Sequence, residues 1–318
     1  MNFTRRAAMA TIGAAGLSAC SPPKPKPKAP AALAVSEGRA AVPGGEIWWK
    51  KVGSGPKPPL LLLHGGPGAG HNCLLPMSPL GDERPVIFYD QLGCGRADSP
   101  PDEKIYTIQR SVDEVDAVRK ALGLEKIVLF GHSWGAMLAI EYLCQGRGAG
   151  VEKLVLGGAL ASVPQASAGM QRLLAALPDG KGQRLKALEA AGKQADPEYQ
   201  AIVGLFYQTH LCRADPTGSF AQSGEIISKS IAYRVMNGPN EFTITGVIKD
   251  WDRRKDLGLI KLPTLITTGE FDEVTLDCHE TIRDGIVGSK LVVMKDCSHA
   301  TMDEKPAEYV SIVRQFIS

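Results

Sequence analysis

Ser133 is the residue whose type and setting most directly suggest chemistry. It lies in Gly131-His132-Ser133-Trp134-Gly135, a G-x-S-x-G pattern with an apolar run before it and a helical pattern after it. A serine hydroxyl is a weak nucleophile until a base takes its proton. A sharp strand-to-helix turn pushes the hydroxyl into the open, and the two glycines leave room where the backbone folds back on itself. The helix start behind Ser133 adds partial positive charge where an oxyanion would develop. Five residues alone are a weak signal and also fit a tight turn with an inert serine. The flanking strand and helix favour the nucleophile.

Such a serine needs a base, and the base needs an orienting carboxylate. The chain order expected with this turn is serine, acid, histidine. Asp272 ends Gly269-Glu270-Phe271-Asp272 and His299 ends Asp296-Cys297-Ser298-His299, each just after an apolar run. Of six histidines, only His299 follows the last such run. His132, beside the nucleophile, reads as a packing residue. Glu270, Glu273 and Asp296 compete with Asp272 for the orienting role, and Asp272 is favoured. His64-Gly65-Gly66-Pro67-Gly68 follows an earlier run. It resembles the glycine-rich loop that supplies one oxyanion-hole amide, so the expected donors are the backbone N–H groups of Gly66 and Trp134.

The elements that must position these groups are legible as runs. Residues 60–63, 86–89, 127–130, 154–156, 264–267 and 291–294 are apolar, as suits strands buried on both faces of a parallel sheet. Segments 34–40 and 46–52, split by Pro43-Gly44-Gly45, predict a hairpin. Helical patterns lie between the later runs. One spans 111–122, with Ser111 and Glu114 spaced as a capping box. Alternation of strand and helix predicts an α/β sheet with helices on both sides. Residues 162–255 break it with helical patterns only, and so predict a helical cap inserted between core segments 34–161 and 256–318.

The amino terminus reads as targeting. Arg5-Arg6 opens an apolar stretch, 7–17, too short for a permanent membrane span. Paired arginines fit a twin-arginine export signal over 1–19. Leu17-Ser18-Ala19-Cys20 resembles a lipobox, which would make Cys20 a lipidated first residue. An ordinary cleaved signal with a chance cysteine, or a misplaced start, fits the same residues. The Pro/Lys-rich segment that follows, within 20–33, predicts an extended tether. The expectation is an exported protein on the periplasmic side, held to the membrane only through a lipid on Cys20.

Composition narrows the partners. Of 36 basic residues, Arg5 and Arg6 are the surplus over 34 acidic ones. No basic field is left to attract nucleic acid, and a peptide or small molecule is the better substrate. Six cysteines follow Cys20, with no CxxC or metal-ligand spacing, so neither metal nor cofactor is expected. Export permits disulfides, but the sequence selects no pairing, and free thiols fit equally well.

Five separated motifs resemble the proline iminopeptidase family of α/β-hydrolases, including its tricorn-interacting aminopeptidase type. They are HGGPG from His64, DQLGCGRAD from Asp90, GHSWG from Gly131, GEFDEV from Gly269 and SHATMDEKP from Ser298. Leu92 and Ala97 depart from the usual Arg and Ser of DQRGCGRS, which bears on how that loop packs. The resemblance runs from about residue 34 to the end. It implies the α/β-hydrolase fold and removal of one N-terminal residue, often proline, from a peptide. It also implies that Glu241 in the cap and Glu273 after the triad acid grip the free amine, with Tyr233 touching the substrate. Two carboxylates suit an ammonium, and would hold the first peptide bond and no later one over Ser133. From its pattern alone Glu241 reads as a solvated loop charge. Aminoacyl amides or esters could use the same triad, making an amidase or esterase the alternative. A non-catalytic binding lipoprotein on this scaffold is the alternative of another class. Dehalogenases and epoxide hydrolases of this fold need aspartate at position 133.

Overall fold

The computed structural model describes residues 32–214 and 218–318. The expected export signal, Cys20 and all but the end of the expected tether lie outside the described residues. Eight strands form one sheet among the described residues: β1 Val35–Val42, β2 Gly45–Val52, β3 Leu60–Leu63, β4 Val86–Asp90, β5 Ile127–His132, β6 Val151–Gly157, β7 Thr264–Gly269 and β8 Lys290–Met294. Their order is β1-β2-β4-β3-β5-β6-β7-β8. The β1–β2 hairpin is antiparallel and joins antiparallel to β4, whereas β4-β3-β5-β6-β7-β8 are parallel.

The apolar runs explain the layers. Leu61, Leu63, Ile127 and Leu129 join one buried cluster, and Leu60, Leu62, Val128 and Phe130 join another. Successive strand residues point to opposite faces, so one continuous run feeds two cores. Burying each such side chain stabilises the fold by about 1.5–3 kcal/mol.

Helices α1 Ile108–Ala121 and α2 Trp134–Cys144 follow β4 and β5. The first starts earlier than the spacing of Ser111 and Glu114 predicts. Thr107 is the N-cap, accepting from Arg110 N at 3.1 Å, and Ser111 instead donates to Thr107 O from inside the helix. Glu114 is not a cap residue because it is buried and committed to Arg110.

Between β6 and β7 the chain runs through α3 Val163–Ala175, α4 Lys181–Ala190, α5 Pro197–Phe206, a π-turn Tyr207–Leu211, α6 Gly218–Lys229 and α7 Ile231–Met236. This excursion is pinned at its root, where Ser162 bridges Asp252. There Val163 N donates to Trp251 O at 2.9 Å and Arg253 N to Ala161 O at 2.8 Å. The remaining helices are α8 Leu276–Gly285, α9 Thr301–Glu304 and α10 Pro306–Ile317. Among the described residues, no helix is long and apolar enough to cross a membrane, and no group of three or more His, Cys, Asp or Glu could hold a metal ion. The six cysteines from Cys73 to Cys297 are free thiols.

Candidate active site

Neighbours of β3 lie on opposite sides of it, β4 on one and β5 on the other. In open α/β sheets the crevice at such a reversal, at the carboxyl ends of the strands, is where ligands sit. His64–Gly68 leaves β3 there and Ser133 leaves β5 there. Ser133 has φ 56° and ψ −121°, a conformation that costs a non-glycine residue roughly 1–3 kcal/mol. The glycines around it are steric necessities. A Cβ on Gly131 would lie 2.2 Å from Gly135 O, and one on Gly135 would lie 2.0 Å from Leu63 O. The turn is held by Ser133 N donating to Gly157 O at 2.9 Å.

His299 Nδ1 donates to Asp272 Oδ1 at 2.8 Å. The same carboxylate accepts from Val274 N and from the Thr268 hydroxyl, each at 2.9 Å. Burial alone would raise Asp272, but the His299 charge and hydrogen bond, with His279 behind, bring it down to about 2. Burial works against protonated His299, yet Asp272, with lesser help from Glu273 and Glu241, holds it up at about 9. Glu270 accepts instead from Asp296 N at 3.1 Å. Neither of these two rivals orients His299. His132 packs its ring 4.7 Å from that of His299 and donates from Nε2 to the His299 carbonyl at 3.1 Å. Burial, then the nearby His299, lowers it to about 3, so it is neutral.

Ser133, His299, Gly65, Gly66, Tyr233, Glu241 and Glu273 all line one cavity of about 1280 Å³. Its far wall is the helical excursion. Glu273 is 2% exposed, and its Oε2 has no hydrogen-bond partner. Glu241 accepts from the Tyr233 hydroxyl at 2.8 Å. Its loop is set by Asn237 Nδ2 donating to Asn240 O at 3.0 Å and by Phe242 packing on Phe206, ring centres 5.3 Å apart. Burial raises both glutamates, and the charge of Glu241 pushes Glu273 further, to well above the usual carboxylate range. The site thus carries two carboxylates that resist ionising together, next to Ser133.

Several groups at the site carried no sequence signal. His279 Nε2 accepts from Ala159 N at 3.0 Å and lies 4.0 Å from Asp272 Oδ2. A Cβ at Gly158 would come within 2.6 Å of the His299 ring. The His210 carbonyl, in the π-turn, accepts from both Glu273 N and His299 N at 3.1 Å, and Leu211 O accepts from Ala300 N at 2.9 Å. Thr268 could have been found, since it sits one residue inside the strand end that presents Asp272. His210 could not, because its partners are 63 and 89 residues away in sequence.

Among the described residues, neither Gly66 nor Trp134 gives its backbone N–H to a backbone acceptor outside its own helix. Behind them, the departure at Leu92 has a structural answer. Leu92 is buried, its N–H donates to Glu114 Oε2 at 3.2 Å, and that carboxylate takes its compensating charge from Arg110 on the same helix, at 2.5 Å. Nothing in the structure explains Ala97.

Residues 58–306 match the α/β hydrolase fold family. The chain is 44% identical to a proline iminopeptidase of Thermoplasma volcanium, over 82% of this chain and 89% of that one. It is 40% identical to a proline iminopeptidase of Saccharolobus solfataricus, over 89% and 92%. Among solved structures it is similar to a proline iminopeptidase from Mycobacterium smegmatis, with TM-score 0.83 and 35% identity over 89% of this chain and 97% of that one. It is also similar to VinJ, with TM-score 0.85 and 34% identity over 89% and 98%.

Proposed function

From the chain's membership of the proline iminopeptidase family of α/β-hydrolases, we propose that it is a serine aminopeptidase releasing N-terminal proline from short peptides through an acyl-enzyme. The observation that carries this reading is the pairing of Glu241 with buried Glu273, one of whose oxygens is unpartnered, in the cavity that Ser133 lines. A prolinium nitrogen has two N–H bonds, and two carboxylates can take one each. The ammonium also supplies a positive charge against two buried carboxylates. Anchored there, the substrate presents its first carbonyl to Ser133, while the following residues occupy the rest of the cavity.

In this mechanism His299 takes the Ser133 proton through Nε2 as the oxygen attacks the prolyl carbonyl. Asp272 keeps Nδ1 protonated and steadies the imidazolium. The carbonyl oxygen gains charge and is held by Gly66 and Trp134 N–H. His299 then protonates the leaving amine, the C–N bond breaks, and water hydrolyses the prolyl ester by the reverse sequence. Tyr233 fixes the rotamer of Glu241.

The test compares a proline anilide with its N-acetyl form. Acetylation removes the charge and leaves both glutamates unmatched. A hydrogen bond to a charged group is worth roughly 1.5–3 kcal/mol and a broken buried pair about 3–5 kcal/mol. kcat/KM should fall at least ~100-fold on these magnitudes. Equal turnover of the two forms would replace the aminopeptidase with a general amidase or esterase.

We also propose export with lipidation of Cys20, motivated by Arg5-Arg6, the apolar stretch 7–17 and Leu17-Ser18-Ala19-Cys20. Fractionation should find the protein with membranes, and Cys20→Ser should release it. Unmodified wild-type chain in the cytosol would refute both.

A further inference from the structure

We propose that Gln91 is a positioning residue that ties the two halves of the oxyanion hole together. The inference rests on the reading of Gly66 and Trp134 as the oxyanion donors. Gln91 follows the last residue of β4 and is 4% exposed. Its Nε2 donates to the His64 carbonyl at 3.1 Å, and its Oε1 accepts from Trp134 Nε1 at 2.9 Å. Its backbone N–H donates to His64 Nε2 at 3.0 Å, while His64 Nδ1 donates to Gly65 O at 2.9 Å. One side chain therefore holds the residue that opens the His64–Gly68 loop and the residue that follows the nucleophile.

Sheet order gives this its meaning. From β4, the Gln91 side chain passes the end of β3 to a residue beyond the end of β5. Together with the Trp134 indole it bridges two strand spacings, about 9–10 Å. The amide orientation is forced, because a carbonyl only accepts and an indole N–H only donates. Gln91 is itself fixed, since the preceding Asp90 accepts from His71 N at 2.7 Å and from Arg96 N at 2.8 Å. Ring-nitrogen roles in His64 follow the same logic: Nε2 accepts from a backbone donor, so the proton is on Nδ1. Gln91 touches neither substrate nor Ser133 in this arrangement. It acts through the spacing of two backbone donors, where a displacement of about 1 Å can cost 100-fold.

The test uses full-length Gln91→Leu, which deletes both bonds, and Gln91→Glu, which keeps the acceptor for Trp134 but sets an oxygen against His64 O. Trp134→Phe, which removes the indole donor, is the third variant. Each is assayed on proline p-nitroanilide and on p-nitrophenyl acetate, and titrated with proline and with prolinal, an aldehyde that forms an oxyanion on Ser133. The proposal expects kcat down about 10- to 100-fold on both substrates, with KM within about threefold. Prolinal should weaken in step with kcat and proline should not. If Gln91→Leu fails to fold, the other two carry the measurement. Parallel weakening of proline and prolinal, a loss confined to the anilide, or a kcat change under about threefold overturns it. The acetate ester carries no amine, so a matching loss there supports the Gln91 role even if the aminopeptidase reading fails.

Discussion

The carbonyl oxygen of His210 accepts a hydrogen bond from the backbone N–H of His299 at 3.1 Å. Because it accepts equally from Glu273 N, one atom of the helical excursion fixes the loop that bears His299 and the loop that bears Asp272 and Glu273. The carbonyl is free for this because it lies in the last turn of the helix, where backbone carbonyls have no intrahelical partner. His210 Nδ1 adds a bond to Phe271 O at 2.9 Å. Deleting Thr209 should restore an ordinary helical turn and withdraw the carbonyl. We expect kcat to fall about 10- to 100-fold with far-ultraviolet dichroism unchanged. Full activity in the deletion variant would show that the two loops hold their own geometry.

Triad assignments are separable by substitution. Ser133→Ala and His299→Ala should each cost about a million-fold in kcat, and Asp272→Ala on the order of ten-thousand-fold. Glu270→Gln and Asp296→Asn should stay within about threefold, because Glu270 bonds only the Asp296 backbone and Asp296 is on the surface. Pre-steady-state and steady-state kinetics on one anilide check all five. A dead Glu270 variant beside an active Asp272 variant would reverse the assignment.

The glycine-flanked serine, the late aspartate and the last histidine were readable because the chemistry restricts both their type and their place after a strand. The two-faced sheet was readable because each of β3 to β7 contains a short, largely apolar run that is buried. At the root of the excursion Ser162 bridges Asp252, an isolated pair 90 residues apart that no local pattern announces. Ser111 misled because a serine three residues before a glutamate has the same spacing inside a helix as at its start. Glu241 had no local mark at all. Its role depends on Glu273 and Tyr233 arriving from elsewhere, and only tertiary structure or resemblance can supply that.

The pH profile should depend on whether the amine site is filled. Asp272 first, then Glu273 and Glu241, hold His299 up at about 9, and only neutral His299 can accept the Ser133 proton. With a neutral ester, kcat/KM should therefore rise with pH toward about 9. A bound ammonium offsets both glutamates and lowers His299. For proline anilide, kcat should then reach its plateau at a lower pH than the ester's kcat/KM. Glu241→Gln should move the ester profile downward in pH as well. Identical profiles for the two substrates would exclude any influence of the glutamates on the base.

Glu273→Gln should make the empty protein more stable and less active. Burial and the charge of Glu241 raise the folded-state value of Glu273 well above that of the unfolded chain. Such a carboxyl carries no penalty below about pH 4, the unfolded value. As pH rises past that point, the unfolded chain ionises and the folded one resists, so stability is lost progressively until the folded group ionises too. Glutamine has no charge to bury, so it escapes this loss. Free of that loss, the variant should melt a few degrees higher at pH 8. At pH 4 the two proteins should melt alike. Turnover of proline anilide should fall at least ~10-fold, because one of two charge-assisted bonds to the ammonium is lost. Calorimetry at both pH values beside kcat/KM reads both effects. A variant that melts lower at pH 8, or one that keeps full activity, would mean that Glu273 serves the fold and not the substrate.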